Sequence, residues 1–322
     1  MEYKMFLDQI QSSFQQLLGE DALLAMFTVP KNNGRMLDGL CVRYPDSRPA
    51  PTIYLNDYYE QFVAGLTMDE ILSDITAVLR YSPSLDLGAE QIEDFSFAKE
   101  KIMFKVINAS SNTALLEDVP HCPILDLAIV FYLCLGRDSN GQVTALIHKA
   151  HRDRWGVADE ELFELALVNT PQVFPSTFKS MVDVFKDMAK EQMGEYYNGE
   201  FIETVMHGEE SEVPLYVLSN STGLNGAGCI LYPGLLEKIS DSLNSDLIIL
   251  PSSIHETLLT IAESDVSYDD FAAMVTSINQ HEVPLEDRLS NQVYLYSRID
   301  KKLTLAPRPD NLPTSLMFDG EI

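Results

Sequence analysis

Leu125-Asp126-Leu127-Ala128-Ile129-Val130-Phe131-Tyr132-Leu133-Cys134-Leu135 is the stretch on which the fold turns. Asp126 is its only charge and it has no polar face, so it predicts a long strand buried on both sides. The unbroken apolar run from Leu127 to Leu135 is roughly half of what a membrane span requires. Asn140-Gly141 then turns the chain into an antiparallel partner, Val143 to Ile147. Just upstream, Ile102 to Ile107 reads as a strand and Asn112 to Val119 as a short helix.

Further toward the N-terminus, Tyr3, Phe6, Leu7, Ile10, Phe14, Leu17 and Leu18 recur at helical spacing, with Gly19 placed as a C-terminal cap. Ala25–Val29 and Leu40–Tyr44 flank Asn33-Gly34 and predict a hairpin, with Thr52–Leu55 as a third strand. Thr67 with Glu70 is a capping box opening a helix that buries Ile71, Leu72, Ile75, Val78 and Leu79.

On the C-terminal side, Ala158–Val168 is expected to be a helix. Another is expected to open at Ser176, with Phe178, Met181, Val182, Phe185, Met188 and Ala189 inward. The Glu-rich segment 194–212 reads as a linker. Val213–Leu218 and Asp246–Leu250 follow as strands, Leu235–Leu243 as a helix, and a further helix is expected from Ser253. Ser267 with Asp270 caps a helix through Ile278, and Gln292–Ser297 with Leu303–Ala306 close the chain as a hairpin. The expected fold is α+β or mixed α/β: an N-terminal α+β unit over 1–85, a larger mixed-sheet region with helices over 86–306, and a loose tail over 307–322.

Charge narrows the function. The chain has 49 Asp and Glu against 22 Lys and Arg, a formal net charge of -27. Nucleic acid and anionic membrane would be repelled, whereas a basic protein partner would be drawn in. Met1-Glu2-Tyr3-Lys4-Met5-Phe6 lacks the pattern of a secretory signal, and Cys41, Cys122, Cys134 and Cys229 lie far apart, so a reducing cytoplasm is the expected location. Oligomeric state is not legible.

Few residues suggest chemistry. Pro251-Ser252-Ser253-Ile254-His255-Glu256 offers a nucleophile, a base and an orienting carboxylate, with Asn220 as a further polar group. No glycines flank the serine as a nucleophile elbow needs, and Ser253 with Glu256 also matches a helix capping box, which is the preferred reading. Asp126 reads either as a carboxylate at the solvated end of its strand or as a buried acid. Gly223, Gly226 and Gly228 follow a strand but reverse the spacing of a dinucleotide fingerprint, which favours a flexible loop over a phosphate cradle. His148 and His151 are the only close histidine pair and the candidate metal ligands. They sit in the one locally basic stretch, and a solvated surface is preferred, with no metal or other cofactor expected.

Three segments together resemble a family of uncharacterised bacterial proteins defined only as a domain of unknown function. They are Asp118-Val119-Pro120-His121 running into Leu125–Val130, Leu218-Ser219-Asn220 with Gly226-Ala227, and Ile249–Glu256. The resemblance implies a bacterial protein and carries no reaction or catalytic residues. The expected function is therefore a non-enzymatic binding or protein-interaction module. The alternatives are a hydrolase centred on Ser253 and His255, and an acidic decoy of a nucleic-acid-binding protein.

Overall fold

The computed structural model describes residues 1–18, 23–43, 52–81, 89–138, 141–193, 214–263 and 267–307. Gly19, Asn140, the segment 194–212 and the tail beyond 307 lie outside the described residues. The fold is mixed α+β with antiparallel sheets, and the chain divides into two compact units. One comprises Met1–Lys99 with Cys134–Thr144; the other comprises Glu100–Leu133 with the described part of Ala145–Ile322.

In the first unit, helix α1 (Tyr3–Leu18) turns Phe6, Ile10 and Phe14 onto one face. That face covers a three-stranded sheet of β1 (Leu23–Pro30), β2 (Met36–Arg43) and β3 (Ile53–Tyr54), in the order β1-β2-β3. Asn33 and Gly34 take positive φ at the β1–β2 turn, the conformation that Asn and Gly adopt at least strain. Helices α2 (Asn56–Val63) and α3 (Met68–Tyr81) complete the core, in which Leu40, Ile53, Leu55, Ile71 and Ile75 are buried with the α1 residues. The capping box forms as expected: Glu70 N donates to Thr67 Oγ1 at 3.3 Å, and Thr67 N donates to Glu70 Oε2 at 2.9 Å. Short helices α4 (Ala89–Glu93) and α5 (Phe95–Ala98) follow.

The second unit holds a six-stranded sheet and most of a four-stranded one, of which residues 134–144 belong to the first unit. β4 (Ile102–Asn108), β6 (Leu127–Asp138) and β5 (His121–Ile124) lie in the order β4-β6-β5, with β7 (Gly141–Leu146) also pairing β6. Leu127 through Leu133 are buried, as their unbroken apolarity predicts. β6 starts with the apolar run at Leu127, two residues later than the strand expected from Leu125, because Leu125 takes a left-handed φ of 53° and turns the chain out of β5. Helix α6 (Thr113–Leu116) precedes β5; α7 (Lys149–Trp155) and α8 (Asp159–Val173) follow β7. α8 also satisfies the outer edge of β4: Phe104 N donates to Thr170 Oγ1 at 3.1 Å, and Asn169 Nδ2 donates to the Ile102 carbonyl at 3.1 Å.

The larger sheet runs β13-β12-β10-β11-β9-β8. Its strands are β8 (Ser176–Ser180), β9 (Leu215–Asn220), β10 (Leu247–Leu250), β11 (Thr257–Ile261), β12 (Tyr294–Ser297) and β13 (Lys302–Leu305). Helices α9 (Met181–Met193), α10 (Leu235–Leu243) and α11 (Tyr268–His281) connect them.

Two expected helices are corrected here. Ser176–Ser180 is strand β8, because Ser176 to Ser180 pair in register with Asn220 to Tyr216; the helix begins only at Met181, where Asp183 N donates to Ser180 Oγ at 3.1 Å. Val182, Phe185 and Met188 of that helix are exposed rather than inward. The helix expected from Ser253 is likewise absent. Thr257–Ile261 is rich in residues that favour strands and pairs with β10 on one side and β9 on the other, so the sheet overrides the capping signal.

Candidate functional site

The turn Ser253–Glu256 joins β10 to β11 and is clamped on both sides. Along one side lies the segment 287–290: Ser290 N donates to the Pro251 carbonyl, Leu289 N to Ser252 and Ile254 N to Asp287, at 2.9, 3.0 and 2.8 Å. On the other side, Ala227 N donates to the Ile254 carbonyl at 3.1 Å, and Ser219 Oγ to the His255 carbonyl at 2.7 Å. Ser219 and Asn220 end β9, and the loop after them leads into the buried 3-10 turn Gly226–Leu231.

The crossing is tight. A Cβ at Gly226 would stand 2.2 Å from Ser219 Oγ, 2.4 Å from the His255 carbonyl oxygen and 2.8 Å from Asn220 N. Gly226 is thus fixed by close approach, and Gly228 lies against the Phe104 ring. Of the expected glycine loop, Gly226 and Gly228 belong instead to the buried interior, whereas Gly223 stands in the exposed turn after β9 with a φ of 70°.

The His255 ring is held at both nitrogens. Asn225 N donates to Nδ1 at 3.3 Å, which leaves the ring proton on Nε2, 3.2 Å from Asp287 Oδ1. These two side chains are 28% and 26% exposed, at the surface of the crossing. Ser253 Oγ accepts from the backbone N–H of His255 at 3.0 Å. Burial pushes the Glu256 pKa up, with the Asp287 charge adding to it, against the lowering pull of His255 and Ser253. The Asn220 amide is engaged at both ends: Oδ1 accepts from Thr222 N at 2.9 Å and Thr222 Oγ1 at 2.8 Å, and Nδ2 donates to the Leu224 carbonyl at 2.8 Å.

Asp126 belongs to a second cluster. Ser290 Oγ and Tyr294 OH each donate to its carboxylate at 2.6 Å, and Gln292 N donates to Ser290 Oγ at 2.8 Å. Tyr294 is fully buried, and burial together with the Asp126 charge drives its phenol well above the usual range. Asn279 Nδ2 donates to the Ser290 carbonyl and Asn108 Nδ2 to that of Leu289, both at 2.9 Å. The structure therefore gathers Ser253, His255, Glu256 and Asn220 around Gly226, and places Asp126 in the neighbouring cluster that anchors the same 287–290 segment.

The sequence reading missed Asp287, Ser219, Ser290 and Tyr294. Asp287 stands among Leu285-Glu286-Asp287-Arg288, which reads as ordinary surface, and nothing local links it to His255 across 32 positions. Ser290 and Tyr294 lie in the polar-rich stretch Arg288-Leu289-Ser290-Asn291-Gln292-Val293-Tyr294, where nothing singles out their hydroxyls as partners of a distant carboxylate.

His148 and His151 open α7. His148 Nδ1 pairs with Asp118 Oδ2 at 2.6 Å, and His148 N donates to His151 Nδ1 at 3.0 Å. His151 then stacks on Trp155. Both imidazoles thus organise a helix start. Among the described residues, no three His, Cys, Asp or Glu side chains gather as a metal ion would require. The basic stretch is neutralised locally: Arg152 bridges Asp153 and Asp159 at 2.7 Å, and Lys149 Nζ donates to the Glu117 carbonyl at 2.7 Å.

Residues 3–298 match a family of unknown function, DUF5688, and the chain belongs to that family. No curated protein and no solved structure matches it.

Proposed function

We propose that the chain is a non-enzymatic binding module of the bacterial cytoplasm whose partner is a basic protein. The observation that carries this reading is the structural use of the polar groups at the histidine crossing. Both His255 ring nitrogens, the Asn220 amide and the Ser253 hydroxyl are engaged in holding the loops together. A base in catalysis needs a nitrogen within reach of the proton it takes, and His255 offers both of its nitrogens to the fold instead. Two further features support a binding role in a reducing compartment: the net charge of -27 steers a cationic partner inward, and no disulfide joins the cysteines among the described residues.

A tagged full-length chain used as bait in its native cytoplasm tests this. A basic protein should be retained and should elute as salt rises from ~50 to ~500 mM, since the Debye length shrinks over that range. An empty lane at low salt sinks the reading and leaves the acidity as a solubility feature. Retention of a nucleic-acid-binding protein in competition with its nucleic acid would identify an acidic decoy.

The hydrolase reading rests on one observation, the Asp287–His255 pair beside the Ser253 hydroxyl, which accepts from the His255 N–H. It requires Asn225 N to leave Nδ1 so that the ring can face a serine. A fluorophosphonate probe that labels Ser253, and fails to label it in His255→Ala, would establish that reading against the binding module.

A further inference from the structure

β1 (Leu23–Pro30) is an edge of its sheet. Its hydrogen-bonding phase follows from the turn, where Lys31 N donates to the Arg35 carbonyl at 2.7 Å. Counting by twos from that pair, Val29, Phe27, Ala25 and Leu23 exchange backbone bonds with Leu37, Gly39, Cys41 and Arg43. The phase agrees on the far side of β2. There Asp38, opposite Thr28, turns its carbonyl to Leu55 N and its N–H to Asn56 Oδ1, both at 2.8 Å. Leu24, Met26 and Thr28 therefore aim their N–H and C=O groups away from the sheet, and among the described residues no strand meets them.

Proteins normally blunt such an edge with a charge, an internal proline, a bulge or a short strand. β1 has none of these. It carries no charged residue, its proline is the terminal Pro30, and its register runs unbroken from Leu23↔Arg43 to Pro30↔Met36.

We propose that β1 pairs antiparallel with β1 of a second copy of this chain, about a twofold axis at Met26, joining two three-stranded sheets into one. The register is self-complementary. With Met26 opposite Met26 of the second copy, Leu24 faces Thr28, and every outward donor meets an outward acceptor. On the face away from α1, Ala25 then opposes Phe27 and Leu23 opposes Val29. Phe27 and Leu23, 43% and 66% exposed in the single chain, extend that apolar face across the junction. Charge selects the occupant. A basic strand finds no carboxylate within β1, whereas a second β1 brings no like charge opposite another despite the chain's -27.

Sedimentation equilibrium of the full-length chain tests the pairing. A concentration-dependent dimer is expected, and it should tighten as salt rises from ~50 to ~500 mM, because screening relieves repulsion between two acidic copies. The basic partner proposed above responds to salt in the opposite sense. The double variant Ala25→Lys with Phe27→Lys sets lysine against lysine at both 25/27 contacts and should weaken the dimer by about tenfold or more, as should the matching double glutamate variant. Mixed in equal amounts, the two variants should recover a dimer, which misfolded chains cannot do. A parent chain that stays monomeric throughout, a dimer indifferent to either variant, or a mixture that fails to reassociate would each overturn the proposal.

Discussion

At Gly226 the absence of a side chain is the structural requirement. Three atoms from β9 and from the 253–256 turn stand within 3 Å of where a Cβ would be, and two of them are backbone. Gly226→Ala should therefore destabilise the chain by about 3 kcal/mol, at the upper end of overpacking effects, as urea unfolding would register. Glu256 carries a different strain. Its folded pKa lies above the ordinary value of 4.5 because of burial. The folded state thus holds the proton more tightly than the unfolded chain, and the stability this confers is complete below 4.5 and lost as pH rises through the folded pKa. Glu256→Gln abolishes that dependence, so its stability relative to the parent should improve as pH climbs from 4.5 and then level off; a constant difference would contradict the assignment. Cys229 is similarly set by burial, with its thiol pushed up to about 12, and it should resist alkylation in the native state while reacting once the chain is unfolded.

At the level of elements, the same sequence signal has opposite outcomes in different neighbourhoods. Ser267 caps α11, where Asp270 N donates to its hydroxyl at 3.2 Å, and Ser267→Ala should cost about 1 kcal/mol. Ser253 and Glu256 have the same spacing, yet they stand at a strand turn in which Ser253 Oγ serves His255 N. Ser253→Ala should accordingly raise the Glu256 pKa further, by removing a hydroxyl that lowers it, and leave helical circular dichroism unchanged. β11 also carries an isolated hydroxyl: Thr257 is fully buried, and its Oγ1 has no hydrogen-bond partner among the described residues. Thr257→Val keeps the shape and removes the unmet group, so it should be neutral or stabilising by up to about 1 kcal/mol in thermal unfolding.

For the whole molecule, charge dominates. A net -27 distributed over one folded chain repels itself, and that repulsion is stronger in the compact state than in the expanded one. The midpoint of thermal unfolding should therefore rise as sodium chloride increases from ~50 to ~500 mM, before any salting-out effect. Duplex DNA should show no binding at physiological salt, because counterion release requires clustered cations, and Arg152 and Lys149 of the basic stretch are already spent on Asp153, Asp159 and the end of α6. Tight, salt-resistant DNA binding in a mobility-shift assay would contradict this directly.

What the sequence determined by itself was local or periodic. The helix Tyr3–Leu18, the hairpin around Asn33-Gly34, the Thr67 and Ser267 caps and the buried strand after Asp126 follow from spacing and composition within a few residues, where propensity and burial agree. The tertiary structure decided the rest. Ser176–Ser180 and Thr257–Ile261 became strands because β9 lay between them with backbone groups to satisfy, a need that no local signal expresses. Asp287 met His255, and Tyr294 met Asp126, across 32 and 168 positions, so their roles existed only once the sheet had brought them together. A short motif reports the conformation that its own backbone prefers; buried hydrogen bonds between distant strands are stronger in sum, and at the histidine crossing they prevailed.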